Sequence, residues 1–157
     1  MKIIDIKTTI VNAEMRNWVF VKIITDQDVY GWGEATVEWK TRAVVGAIED
    51  LKPLLIGKDP RDIKQNFQIM TKHGFWKLGV IGMSAISGIE HALWDILGKS
   101  VGMPVYQLLG GKTRDKIRVF ENISGNTNYE KVEDAKKHVE QGYTSLRMTP
   151  FFEGFEF

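Results

Sequence analysis

GVIGMSAISGIEHALWDILGKSVGMPVYQLLGG, residues 79–111, decides how this chain reads. Ile86, Ile89, Leu93, Ile96 and Leu97 recur at i, i+3, i+7, i+10 and i+11, which places them on one stripe of a helix with about 3.6 residues per turn. A stripe of that kind needs a core to lie on. Gly102 followed by Met103 and Pro104 supplies the stop: a residue that tolerates positive φ, then one that cannot continue a helix. Pro104 opens a further short turn over residues 105–109, which Gly110 and Gly111 close. The stretch divides two halves with different local patterns.

Upstream, residues 2–11 alternate as a strand, with Ile4, Ile6, Thr8 and Ile10 on one face. Residues 12–17 (NAEMRN) read as a loop. Residues 18–25 (WVFVKIIT) are nearly continuous in apolar character, which predicts a central strand covered on both faces. After a turn at Asp26, Gln27 and Asp28, residues 29–35 form a third strand. In it Gly31 and Gly33 flank Trp32, a spacing that lets another backbone approach closely. Short connections make the three strands an antiparallel meander.

Val44, Ile48, Leu51 and Leu55 then mark a helix ending at Gly57, with Pro53 predicting a kink or break near Lys52. Asp59 as N-cap and Pro60 at the first helical position open another helix, with Ile63, Phe67 and Met70 as its buried stripe. Residues 73–77 (HGFWK) follow as a loop. Downstream of Gly111, residues 117–120 read as a short strand. Residues 129–141 form a helix with Val132, Ala135 and Val139 inward, stopped by Gly142, and residues 144–148 form a second strand. This is one strand–helix–strand unit of the kind that builds parallel sheets. The chain ends in PFFEGFEF, four phenylalanines that an isolated domain has to bury or leave as a sticky tail, and it reads as cut short.

At 157 residues, 43% hydrophobic and 26% charged, the composition is that of a globular protein of about one domain's length. Twenty-one basic against twenty acidic residues leave a net charge of +1, so no global field favours nucleic acid. The alternating Lys112, Arg114, Lys116 and Arg118 read as a solvated face entering a strand rather than a phosphate-binding patch. The absence of cysteine excludes disulfides, thiolate metal sites and a cysteine nucleophile. No run approaches the ~18 apolar residues of a membrane span, and the first residues lack a signal-peptide apolar region, so no membrane partner and a cytoplasmic location are expected.

No Ser/His/Asp arrangement, P-loop or dinucleotide fingerprint is present. His91 with Asp95, and Asp134 with His138, stand i, i+4 and could each present two metal ligands, but two ligands do not make a site. Glu90 and Asp95 are about 140° apart on a helix, so they are not a facing carboxylate pair. A polar flank, or a buried ion pair with an arginine, is the reading preferred for them. Of the five tryptophans, Trp18, Trp32 and Trp94 fall at core spacing, whereas Trp39 and Trp76 lie in loops and are the better binding candidates.

Several of these stretches, VKIITDQDVYGWGEA at 21–35, TRAVVGAIEDLKPLLIGKDP at 41–60, HGFWKLG at 73–79, MSAISGIEHALWDILGKSVGMPVYQLLGGKTRD at 83–115 and the GYTSLRM strand, resemble the N-terminal part of the enolase superfamily. The resemblance is to the mandelate racemase and muconate lactonizing enzyme branch, and within it to galactonate dehydratase-like acid-sugar dehydratases. It implies an α+β capping domain over residues 1–111 and the first strand, helix and strand of a TIM-type (β/α) barrel over residues 112–157. It implies a hydro-lyase in which magnesium, held by barrel carboxylates, stabilises an enediolate formed by proton abstraction beside the substrate carboxylate. Residues 12–18 and 37–41 match the family's lid loops, making Arg16, Trp18, Glu38, Trp39 and Lys40 the side chains expected to reach a sugar acid, with His73 and Trp76 as a third contact.

The resemblance also places Arg147 and Thr149 where relatives with a lysine catalyst carry Lys-x-Lys. No catalytic residue and no metal ligand are therefore expected in this chain, and the 157 residues alone are expected to be inactive. A homo-oligomer is expected. The alternative is a non-catalytic capping-domain remnant acting as an oligomerisation or interaction module, and a stand-alone carbohydrate-binding module using Trp39 and Trp76 is a third.

Overall fold

The computed structural model describes residues 1–149, so the Phe-rich terminal segment lies outside the described residues. The chain divides into two compact units, Met1–Gly111 and Lys112–Phe157. In the first, β1 (Ile3–Ala13), β2 (Arg16–Thr25) and β3 (Tyr30–Glu34) form one antiparallel sheet in sequence order, the expected meander. Three helices follow: α1 (Thr41–Leu55), α2 (Ile63–Lys72) and α3 (Gly79–Val101), with a short turn of helix, α4, at Val105–Leu108.

The helix stripes are as read from spacing. Val44, Ile48, Leu51 and Leu55 of α1, and Ile86, Ile89, Leu93 and Ile96 of α3, are all buried. They meet Val19, Val21 and Ile23 from the inner face of β2 in one core, with Leu97 packed at its margin. Gly102 ends α3 in the left-handed region at φ 69°. The glycines of β3 let α3 come down onto the sheet: a Cβ on Gly31 would stand 2.0 Å from the carbonyl oxygen of Ala92, and one on Gly33 would stand 1.9 Å from that of Gly88. By length and composition α3 could also cross a membrane, contrary to the expectation. Its Ile, Leu and Val supply that apolarity, interrupted by Glu90, His91, Asp95 and Lys99, and its apolar stripe is spent on the core.

Other expectations give way to local geometry. β2 alternates instead of being covered on both faces: Val19, Val21, Ile23 and Thr25 are buried, while Phe20, Lys22 and Ile24 on the other side are half-buried. In β1 the register shifts between Ile3 and Asp5, and this bulge turns Ile3 rather than Ile4 toward the core beside Ile6. Residues 12–17 are not a loop. Asn12 pairs with Asn17 and Ala13 with Arg16, leaving a two-residue turn at Glu14 and Met15 with Glu14 at φ 58°. The helix α1 runs through Pro53 to Leu55, because a proline in the last turn removes a single backbone bond.

Asp59 does not cap a helix directly. Its carboxylate accepts from the Arg61 backbone N–H at 2.9 Å and takes both ends of the Arg61 guanidinium, and α2 starts only after Asp62. The start of the chain is tied to this corner. The Ile3 N–H donates to the Lys58 carbonyl at 2.9 Å, the Gly57 N–H donates to the Ile3 carbonyl at 2.8 Å, and the Met1 ammonium lies 3.9 Å from Asp59.

In the second unit β4 (Glu121–Asn122) and β5 (Leu146–Arg147) pair in parallel, with α5 (Asn128–Glu140) between them in sequence. The parallel pairing is as expected, but its first strand lies beyond residues 117–120, which are exposed. Thr127 caps α5 by accepting the Glu130 N–H. The stripe read from spacing is also displaced: Val132 is 51% exposed and Val139 59%, whereas Lys131 is buried with its ammonium on the Thr149 carbonyl at 2.7 Å. Two strands of two residues cannot cover a whole apolar stripe. The helix is instead oriented by polar bonds in its first two turns, including the Asp134 carboxylate accepting the Ser124 N–H at 2.8 Å. That bond, more than the nearby His138, holds the Asp134 carboxyl below its ordinary pKa.

Candidate functional site

The tip of the β1–β2 hairpin and the turn leading into α1 are brought together by one ion pair. Arg16 projects from the first residue of β2, and its guanidinium stands 2.8 Å from the Glu38 carboxylate, with both side chains about two-fifths exposed. The backbone holds the two segments in reach. The Val19 N–H donates to Thr36 Oγ1 at 3.0 Å, and the Ala35 N–H donates to the Val19 carbonyl at 2.8 Å. The Asn12 side-chain amide donates to Asn17 across the hairpin at 3.2 Å, stiffening the arm that carries Arg16.

Trp39 is next to this bridge in sequence and is 88% exposed, with its backbone at φ 57°. A bulky residue in the left-handed region is strained by about 1 kcal/mol or more, and here nothing buries the ring in return. Lys40, the residue before α1, is held by its N–H on the Val37 carbonyl at 3.1 Å, and its side chain is exposed. With Arg16 neutralised by Glu38, Lys40 is the cation of this cluster that is left to meet an anion.

The other expected contacts sit elsewhere. Trp18 stands on the sheet face turned away from the helices, its ring centroid 5.9 Å from that of Phe20. His73 follows the last residue of α2. Trp76 is 83% exposed, edge-on to Phe75 at 5.6 Å. Among the described residues neither His73 nor Trp76 has a hydrogen bond or ion pair to Arg16 or Glu38. In the second unit Arg147 lies 5.8 Å from the Phe120 ring and Thr149 offers its carbonyl to Lys131. Met15, at the hairpin tip with its sulfur 3.7 Å from the Arg16 guanidinium, carries no sequence signal of its own; only the hairpin places it there.

Asp95 turns out to be structural, and its partner is a lysine rather than an arginine. Its carboxylate accepts the Trp32 backbone N–H at 2.9 Å and the Lys99 ammonium at 2.7 Å, and Lys99 also donates to the Tyr30 carbonyl at 2.8 Å. Side chains of α3 thus occupy the free edge of β3, which would otherwise be open to another strand. Of the tryptophans expected to pack, only Trp94 lies against the core, because Trp18 and Trp32 fall on the outer face of the sheet. Among the described residues no group of three His, Asp or Glu side chains comes together as a metal site.

Comparison with known proteins bears on these segments. The sequence profile of the mandelate racemase / muconate lactonizing enzyme N-terminal domain matches residues 2–110. A D-galactonate dehydratase of Verminephrobacter eiseniae (strain EF01-2) is 43% identical over 131 residues, which are 83% of this chain and 34% of that protein. A D-galactonate dehydratase family member of Marinomonas sp. (strain MWYL1) is 44% identical over 149 residues, 94% of this chain and 37% of the relative. An enolase from Pantoea ananatis, crystallised with D-gluconate and magnesium, superposes with a TM-score of 0.88 at 40% identity, covering 94% of this chain and 36% of that one. The chain therefore spans about a third of the length of the curated relatives it matches.

Proposed function

Because the chain belongs to the mandelate racemase / muconate lactonizing enzyme family, with the sheet-and-helix fold of the enolase superfamily's N-terminal capping domain, we propose that it is the substrate-closing part of an acid-sugar dehydratase. In this reading residues 1–111 are the cap and residues 112–157 begin a barrel. The substrate is a sugar acid such as galactonate or gluconate, which loses water by proton abstraction next to its carboxylate. The setting is cytoplasmic, with no nucleic-acid or membrane partner.

The observation that carries the reading is the Arg16–Glu38 bridge. It joins two solvent-facing segments into one piece beside an exposed, strained Trp39. A rigid lid of that composition suits a polyol carboxylate: Lys40 meets the carboxylate, Trp39 covers the carbon chain, and closure removes water from the reacting carbon. Trp18, His73 and Trp76 extend the contact surface. Magnesium does not fit the residues described, since no three ligands converge, so the chain's own share is recognition and shielding rather than proton transfer.

The test is turnover by the purified 157-residue chain with magnesium and either galactonate or gluconate, followed as 2-keto-3-deoxy acid. None is expected, and measurable product would overturn the assignment of chemistry to residues outside this chain. A second reading, a non-catalytic interaction module, is favoured by one observation: the sheet face opposite the helices is aromatic and exposed.

A further inference from the structure

Met15 stands where folding asks for no methionine. Ala13 pairs with Arg16, so Glu14 and Met15 alone make the turn between β1 and β2, and two-residue turns of this kind are usually filled by Asn, Asp or Gly. Glu14 takes the left-handed conformation at φ 58° and its N–H reaches Asn12 Oδ1 at 3.4 Å, which leaves Met15 at the tip and 79% exposed. The side chain adds almost no burial to the fold, so its sulfur is the group to be explained.

The chain has six methionines and no cysteine, so thioethers are its only sulfur. Met1 packs at the margin of the core, Met70 is 1% exposed, and Met83, Met103 and Met148 lie between 42% and 49%. Met15 is the most open of them. Among the described residues it is also the one whose sulfur accepts a hydrogen bond, from Arg16 Nη2 at 3.7 Å. Arg16 Nη1 stands 2.8 Å from the Glu38 carboxylate. The two terminal nitrogens of one guanidinium thus serve two segments, a carboxylate in the turn before α1 and a sulfur at the hairpin tip. The first contact is charge-assisted; the second is weak, because a thioether is a poor acceptor.

We propose that Met15 is a modification site for hydroperoxides, whose sulfoxide fastens Arg16, and with it the hairpin tip, to the turn before α1. A sulfur lone pair attacks one peroxide oxygen: the S–O bond forms, the O–O bond breaks, and the sulfur is oxidised by two electrons. The other oxygen is reduced and leaves with the proton as water, or as an alcohol from an alkyl hydroperoxide. The new oxygen stands one bond beyond the sulfur, on a side chain that already faces Nη2, and a sulfoxide is polar where the thioether was not. It therefore replaces a weak acceptor with one that makes a charge-assisted bond to the guanidinium. Arg16 is then held from both ends, and the arm loses freedom that the reduced side chain leaves it. Enzymatic reduction of the sulfoxide restores the looser state. The consequence for substrate closure rests on the capping-domain reading above, whereas the modification and its bond to Arg16 do not.

Two measurements on the 157-residue chain treated with hydrogen peroxide test this. Peptide mapping by mass spectrometry is expected to find the added oxygen on Met15 before Met83, Met103 and Met148, and at least ten times faster than on Met70. Proton exchange at the Arg16 guanidinium, followed by nuclear magnetic resonance, is expected to slow at least about threefold once Met15 is oxidised. Met15→Leu keeps an apolar tip without the sulfur, and in it peroxide is expected to leave the Arg16 exchange unchanged. Oxidation of Met15 no faster than that of Met83 and Met103, unchanged Arg16 exchange in the oxidised chain, or equal slowing in Met15→Leu each overturns the proposal. Neither readout uses a sugar acid or turnover, so this proposal and the catalytic reading fail separately.

Discussion

Replacing Gly31 by alanine tests whether the approach of α3 to β3 governs the stability of the first unit. The new methyl would stand 2.0 Å from the Ala92 carbonyl oxygen and 2.8 Å from Ile96 Cγ1. Carbon and carbonyl oxygen come no closer than about 3.3 Å, so the helix has to back away by roughly 1.3 Å. A gap of ~1 Å forfeits between about a quarter and a half of the dispersion well. Ile86, Ile89, Leu93 and Ile96, fully buried on the same helix, each stabilise the fold by about 1.5–3 kcal/mol. Losing about a quarter to a third of that sum gives ~1.5–4 kcal/mol, overlapping the measured overpacking costs of about 1–3 kcal/mol.

All five tryptophans lie in Met1–Gly111, so urea unfolding followed by tryptophan emission reads this unit alone. With a slope of about 1–3 kcal/mol per molar, the midpoint falls by about 1–2 M. Gly46→Ala is the internal control. Nothing lies within 4 Å of a Cβ at that helical position, and a gain of about 0.5–1 kcal/mol is expected from lower unfolded-state entropy. A Gly31→Ala loss below about 0.5 kcal/mol, or equal losses at both positions, would refute the close-approach argument.

Two further outcomes follow from single side chains. The Asp59 carboxyl is pulled from 3.8 to about 2, first by the Arg61 guanidinium and against the cost of its partial burial. A depressed carboxyl stabilises the fold above its unfolded pKa and stops doing so as pH falls through its folded one. Asp59 therefore supports the corner before α2 at pH 5 and loses that contribution between about pH 4 and pH 2, by ~1 kcal/mol or less for so exposed a pair. Asp59→Asn should flatten the acid limb of a stability–pH curve in that window. Asp95→Ala should cost about 0.5–1.5 kcal/mol by leaving the solvent-accessible Trp32 amide to water, whereas Asp95→Asn, which keeps an acceptor, should cost less; hydrogen exchange at Trp32 should rank the two in that order.

The stripes of α1 and α3 were legible because helix burial repeats with a fixed angle, and no neighbour has to be known to find it. Gly31 and Gly33 were legible for a similar reason, since few causes other than a close backbone put two glycines at that spacing in a strand. Ile3 and Ile4 could not be told apart, because a bulge moves one residue to the opposite face without leaving a mark in composition. The Asn12–Asn17 hairpin was hidden by its polar residues, which pair through backbone and amide groups rather than by burial. The face of α5 depends on the Ser124–Asp134 and Thr149–Lys131 bonds, and periodicity sees neither. At the site, exposure of Trp39 and Trp76 could be read from their loops. The Arg16–Glu38 bridge could not, because it joins two segments separated by a whole strand pair.

The tie between Ile3 and the corner after α1 has a consequence in time. The β1–β2 hairpin closes through neighbours in sequence, but Ile3 receives its partners at Gly57 and Lys58 only after α1 has formed and turned back. Contacts of that separation bear the larger loop-closure entropy and are made late. The beginning of β1 is then the last part of the sheet to lock. Loosening it should leave the folding rate nearly unchanged and appear almost entirely as faster unfolding, so the first residues of the chain act as its clasp.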